Sequence, residues 1–114
     1  MNIMKKPQLF LLKPGYGKAA DQFCPDCALV MGYFDYQPQM REHVDIKLID
    51  FDRPRHDLVK LLGEDLQNSP ALIFPEGEQP KNINLSEKTN RAYINDGRAI
   101  CQWLGKTYGG LVPS

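Results

Sequence analysis

Residues 8–27 read QLFLLKPGYGKAADQFCPDC, and this stretch decides the fold. Its first part, Gln8-Leu9-Phe10-Leu11-Leu12, is a near-continuous apolar run closed by Pro14-Gly15, the pattern of a short strand buried on both faces. The segment from Lys13 to Phe23 is polar, carries Pro14, Gly15 and Gly17, and reads as a loop. It leads into Cys24-Pro25-Asp26-Cys27. A proline is pre-set for the first helical position, where its missing N–H would be unpaired in any case, so a helix is expected from Pro25 with Cys24 as its N-cap. Beyond it Cys27, Val30, Met31 and Phe34 recur at helical spacing as one apolar stripe, and Pro38 ends the element.

Working outward, Val44-Asp45-Ile46-Lys47-Leu48 alternates apolar and polar before Ile49-Asp50-Phe51, a strand pattern. Asp52, Arg53 and Pro54 form a turn, and Leu58, Leu61 and Leu62 make a short amphipathic helical face stopped by Gly63. Ala71-Leu72-Ile73-Phe74 is a third strand, reached through Ser69-Pro70 and left through Pro75-Glu76-Gly77. The stretch from Pro75 to Arg91 has no strong period and is either a lengthened hairpin or a functional loop. Ala92-Tyr93-Ile94 is a short fourth strand. Asn95-Asp96 then cap a last helix, with Ile100, Trp103, Leu104, Thr107 and Tyr108 expected inward and Gly109-Gly110 as its stop. A helix between the first two strands requires a right-handed parallel crossover, and the third and fourth strands are close enough to pair antiparallel. The expectation is an α/β domain with a mixed four-stranded sheet covered by helices.

The size, 114 residues of which 42% are apolar, fits one globular domain spanning 1–114. With 14 basic and 14 acidic side chains the net charge is zero, and no run of like charge offers a footprint for nucleic acid or an anionic membrane. The longest apolar run, Leu9 to Leu12, falls short of a membrane span and of a secretory core, and Lys5 and Lys6 before it do not make a signal peptide. The expected address is the cytosol, where thiols stay reduced unless chemistry uses them, so the three cysteines carry most information.

A C-x-x-C beside a strand-helix-strand unit is a sign of thiol-disulfide exchange. Cys24 at the N-cap meets unpaired N–H groups and the positive end of the helix dipole, which favour a thiolate, and is the candidate nucleophile. Cys27, at the head of the apolar stripe, is expected to be more buried, to keep its proton and to act as resolver. Asp26 places a carboxylate between the two sulfurs and is expected to oppose thiolate formation. The other readings of the motif are half of a zinc site and a relic pair on a binding module. For zinc the remaining ligands would come from Cys101, His43 and His56, which show no metal spacing, and Cys101 lies beside an apolar stripe as buried filler would. The two histidines read as surface residues, Trp103 and Tyr108 as core, and Tyr16 as a substrate contact without an assigned role.

The pattern resembles the thioredoxin-like superfamily, and within it the glutaredoxin and glutathione-transferase N-terminal branch, over nearly the whole chain. The residues that carry it are the strand at 8–12, Cys24-Pro25-Asp26-Cys27 opening a helix, Ser69-Pro70 before the third strand, and Tyr93-Ile94-Asn95-Asp96-Gly97-Arg98-Ala99-Ile100. The resemblance implies a sheet ordered second, first, third, fourth strand, with helices on both faces. It implies a cis bond before Pro70 that presents the backbone of Ser69 to a peptide or to glutathione. It places Lys13 where the branch has a basic residue after the first strand, although a loop separates it here from Cys24. It sets Asp96 at an acidic position that holds the γ-glutamyl end of glutathione, with Gly97 where the family has a serine, leaving a backbone N–H for a carboxylate. Simple helix capping by Asn95 and Asp96 is the other reading of that segment. The loop before Cys24 is expected to wall a groove or cover the site. With 114 residues, the all-helical domain of a complete transferase is not expected. The implied activity is a cytosolic thiol-disulfide oxidoreductase that needs no metal or bound cofactor and uses glutathione or a protein disulfide as partner. The alternatives are a non-catalytic binding or homodimerising module and a glutathionylation sensor.

Overall fold

β1, Gln8–Leu12, lies at the centre of the sheet, with Leu9 to Leu12 all buried. The computed structural model describes residues 4–114. β1 pairs in parallel with β2, Asp45–Ile49, and antiparallel with β3, Ala71–Ile73. The registers Leu9↔Ile46 and Leu9↔Leu72 put the three strands side by side. Beyond β3 come β4, Asn84–Leu85, and β5, Ala92–Ile94, which pair antiparallel with each other, and β5 pairs antiparallel with β3. The sheet is therefore mixed and five-stranded, ordered β2-β1-β3-β5-β4.

Four strands were expected. The expected neighbours are present in the expected order, and the extra member is the two-residue edge strand Asn84–Leu85, drawn from the aperiodic stretch after Pro75. Both its residues are exposed, so burial imposes no alternation on them and no pattern marks them.

Alternation along β1 divides the core in two. Leu9 and Leu11 face α1, Pro25–Tyr36, and α3, Gly97–Tyr108, in a layer with Cys27, Val30, Phe34, Ile100, Cys101 and Leu104. Phe10 faces the other way, toward Leu58 and Leu62 of α2, His56–Leu62, with Ala71 and Ile73. α1 stops at Gln37, and Pro38 leads directly into a 3₁₀ turn, Pro38–His43, that buries Met40. α3 ends where Gly109 takes a left-handed φ of 73°, a conformation that suits a residue without Cβ. Its last turn departs from expectation. Thr107 and Tyr108 are exposed, and the Tyr108 ring stacks on His43 at 3.7 Å on the surface. Trp103 is half-buried, edge-on to Phe74 at 4.9 Å. No helix among the described residues is long and apolar enough to cross a membrane.

Candidate functional site

The site is built where β1 ends and α1 begins. Cys24 is the N-cap of α1, with extended backbone (φ −82°, ψ 112°), and Pro25 starts the first turn. This geometry aims the N–H of Cys27 at the Cys24 sulfur, 3.1 Å away. A helix N-terminus offers unpaired N–H groups, and here one is spent on a sulfur. Cys24 is half-buried.

Cys27 is 4% exposed and held from three sides. Within β1 only Gln8 to Phe10 pair with β3, and Leu12, past the end of that ladder, donates its N–H to the Cys27 sulfur at 3.5 Å. The Ser69 hydroxyl lies 3.6 Å from the same sulfur. Because that hydroxyl gives its one proton to the Phe10 carbonyl at 2.7 Å, the Cys27 thiol is the donor toward Ser69. Burial first, and then the hydrogen bond with the Cys24 sulfur, push the Cys27 thiol up to about 11. The Ser69 carbonyl faces Cys24, 3.8 Å from its sulfur, and the Ser69-Pro70 bond is cis. The structure thus brings Ser69 to Cys24 and Cys27, from which it is 45 and 42 residues away in sequence, with Pro70 buried behind them. All three cysteines of the chain are free thiols.

A family model described as a protein of unknown function, DUF3088, matches residues 6–111. The chain belongs to the DUF3088 family. The match takes in every site residue singled out from the sequence, from Lys13 to Gly97. No curated protein and no solved structure matches the chain.

Geometry corrects one expectation in this DUF3088 protein, the free N–H of Gly97, and gives Asp26 a partner that the sequence did not show. Asp26 does not stand free between the sulfurs: its Oδ2 accepts the N–H of Gly97 at 2.9 Å, so the carboxylate fastens the start of α3 to the start of α1. The Gly97 N–H is accordingly occupied and is not available to a ligand carboxylate. A Cβ on residue 97 would fall 2.5 Å from Asp26 Oδ1, which gives the glycine here a steric reason. Asp96 turns its carboxylate onto the N–H of Ala99 at 2.9 Å, an N-cap of its own helix. Lys13 is exposed and pairs with Asp50 at 3.2 Å, on the rim of an open cleft of about 840 Å³.

The lining of that cleft includes neither cysteine. One wall is the loop before Cys24, closed on itself by three backbone bonds between Gly15, Tyr16 and Gln22. The other wall is the segment after β2. Tyr16 and Phe51 stack across at 4.1 Å, 14° from parallel, and join the walls. The residues missed by sequence reasoning sit here. Arg55 is buried, with Nε donating to Phe51 O at 2.9 Å and Nη1 to Gln67 O at 2.8 Å. The Arg55 backbone N–H in turn donates to the Gln67 side-chain oxygen at 2.8 Å. Arg53-Pro54-Arg55 looks like any charged turn, so no local signal marks the burial of its second arginine.

Cys101 is fully buried between α1 and α3, its thiol pushed up to about 11 by burial and by the nearby Asp26 charge. His43 lies on the surface beside Tyr108, and His56 is exposed at the start of α2. Among the described residues no three of His, Cys, Asp and Glu gather as a metal site.

Proposed function

We propose that this DUF3088 protein is a thiol-disulfide oxidoreductase of thioredoxin-like type, acting in a reducing compartment such as the cytosol. The observation that carries the reading is the inequality of the two sulfurs. Cys24, at the helix N-cap, receives the Cys27 N–H at 3.1 Å, while Cys27 is buried with its thiol raised and bonded to Ser69. The strand order β2-β1-β3-β5, the parallel first pair and the cis bond before Pro70 support the thioredoxin-like assignment.

In the proposed reaction the Cys24 thiolate attacks one sulfur of a disulfide. A Cys24–substrate disulfide forms, the substrate S–S bond breaks, and one substrate thiolate leaves and takes a proton from solvent. Cys27 then loses its proton and attacks the Cys24 sulfur. The mixed disulfide breaks, the second substrate thiol is released, and a Cys24–Cys27 disulfide remains. The substrate has gained two electrons and the protein has lost two. An external thiol, glutathione or a dithiol, restores the reduced pair. Ser69, whose carbonyl faces the Cys24 sulfur, borders the position the substrate chain would take.

The test is trapping. With Cys27→Ser the second attack is blocked, and incubation with oxidised glutathione should leave one glutathione on Cys24, seen by intact mass. If neither cysteine reacts with disulfides faster than a free thiol at neutral pH, the reading fails. A second reading, a binding or homodimerising module, is favoured by one observation. Leu29, Tyr36, Leu111 and Val112 are exposed together around a groove on the outer side of α1. Cys24→Ser would leave such binding intact.

A further inference from the structure

Among the described residues Arg55 is the only buried charged side chain, 8% exposed. A buried cation without an anion is costly, and no carboxylate of the described residues pairs with it. Its Nε and Nη1 donate to the carbonyls of Phe51 and Gln67 at 2.9 and 2.8 Å, and its guanidinium lies over the Phe51 ring, 5.2 Å from the centroid. Nη2 makes no hydrogen bond among the described residues. No buried side-chain nitrogen or oxygen of those residues lacks a partner, so Nη2 reaches the surface, and the surface that Arg55 lines is the open cleft of about 840 Å³. Arg53 lines the same cleft, is exposed, and donates through Nη2 to Asn68 Oδ1 at 3.0 Å, again with no carboxylate partner. Lys13, the third cation of the lining, is paired with Asp50 at 3.2 Å. Asp52 and Asp57 stand exposed on the lining and oppose an anion, but water and salt screen exposed charges far more than a buried one. His56 on the same lining adds only positive charge.

We propose that this cleft binds an organic phosphate monoester, with the phosphate on Arg55 and Arg53 and the organic part along the stacked rings of Tyr16 and Phe51. A phosphate monoester carries about 1.5–2 negative charges at neutral pH and three acceptor oxygens, which matches two arginines without anions; a single carboxylate would match one. The planar fork of arginine gives directed bonds to phosphate oxygens, and the two carbonyl bonds fix the fork of Arg55 before a ligand arrives. The cleft has the size of a small-molecule site, about 300–1,000 Å³, and far more room than a phosphate group fills. Tyr16 and Phe51, 4.1 Å apart and 14° from parallel, supply an apolar wall for the rest of the ligand, and Phe51 stands exposed there. Neither cysteine is part of the lining, so the site is independent of the thiol-disulfide reading.

The experiment is isothermal titration of the full chain with phenyl phosphate at neutral pH, with inorganic phosphate, benzoate and phenol as comparisons. Phenyl phosphate should bind one to one with a Kd below about 1 mM, and roughly tenfold or more tighter than each comparison. Arg55→Gln should weaken it about tenfold, and Arg53→Gln, at an exposed position, about fivefold. If Arg55→Gln does not fold, Arg53→Gln still decides. The chain carrying both Cys24→Ser and Cys27→Ser should bind phenyl phosphate as the unmodified protein does, and reduced glutathione, which has carboxylates and no phosphate, should not displace it. No saturable binding of phenyl phosphate up to about 10 mM overturns the proposal. So does benzoate binding as tightly as phenyl phosphate, an unchanged affinity in Arg53→Gln, a loss of binding in the cysteine variant, or displacement by glutathione. A protein that binds phenyl phosphate through its arginines but traps no glutathione on Cys24 supports the cleft and sinks the oxidoreductase reading. One that traps glutathione and ignores phenyl phosphate does the reverse, so the two failures are told apart.

Discussion

Replacing Asp26 by alanine removes a carboxylate that accepts the Gly97 N–H at 2.9 Å at the N-terminus of α3. A hydrogen bond to a charged group contributes about 1.5–3 kcal/mol. An anion at a helix N-terminus adds about 0.3–1 kcal/mol. The expected loss is therefore about 2–3 kcal/mol, which for a domain of this size lowers Tm by about 8–12 °C. Asp26→Asn keeps an acceptor oxygen and should lose roughly half as much. The partner substitution, Gly97→Ala, drives a methyl to 2.5 Å from Asp26 Oδ1 and 2.9 Å from its Cγ, and overpacking of this kind costs about 1–3 kcal/mol. Alanine's better helix propensity returns at most about 1 kcal/mol. In an Asp26→Ala background two of the three close contacts vanish, leaving only the Asp26 carbonyl oxygen at 2.9 Å. Urea denaturation of the two single variants and the double variant gives the coupling. The double variant should be more stable than the sum of the single losses by about 1 kcal/mol or more. Single losses that simply add, within about 0.5 kcal/mol, would show that Asp26 and Gly97 are not the joint between α1 and α3.

Other outcomes follow from the same contacts. Ser69→Ala removes the hydroxyl that binds Phe10 O at 2.7 Å and faces the Cys27 sulfur, and should cost about 1–2 kcal/mol in urea denaturation; a loss below about 0.3 kcal/mol counts against that network. The thiols of Cys27 and Cys101 are both raised to about 11, against about 8.5 for an ordinary thiol. The unfolded chain then releases these protons first, so stability is full below about pH 8.5 and is lost as pH rises toward 11, by on the order of 3 kcal/mol per thiol. Chemical denaturation across that window in Cys101→Ala should show a shallower decline than in the unmodified protein, and an identical slope would contradict the burial argument. Tyr33→Phe removes the hydroxyl that donates to Leu111 O at 2.8 Å, and should lower stability by about 1 kcal/mol and expose the last residues to proteolysis; unchanged cleavage would place the hold on the chain end elsewhere.

The parts of this fold that sequence exposes are those with strong local signals. An apolar run made β1 recognisable, and proline at the first helical position marked the start of α1 to the residue. β4 escaped because two exposed residues carry no period. The site divides along similar lines. The unequal burial of Cys24 and Cys27 follows from cap and stripe, both local. The bond that Asp26 accepts was not legible because its partner, Gly97, is 71 residues away. Arg55 could not be read at all, since its burial depends on Phe51 and Gln67 closing over it.

The division of the core by β1 has a consequence for motion. The layer on the α1 and α3 side gathers residues from two twelve-residue helices, whereas the other side rests on a seven-residue helix and a handful of apolar residues. Local opening is easiest where fewest apolar contacts must part. The cysteines stand on the thick side, and Phe51, Arg55, Gln67 and Ser69 stand on the segments that flank α2. Amide hydrogen exchange should therefore run faster around α2 than along α1, so that one wall of the cleft yields to an incoming molecule while the sulfurs hold still.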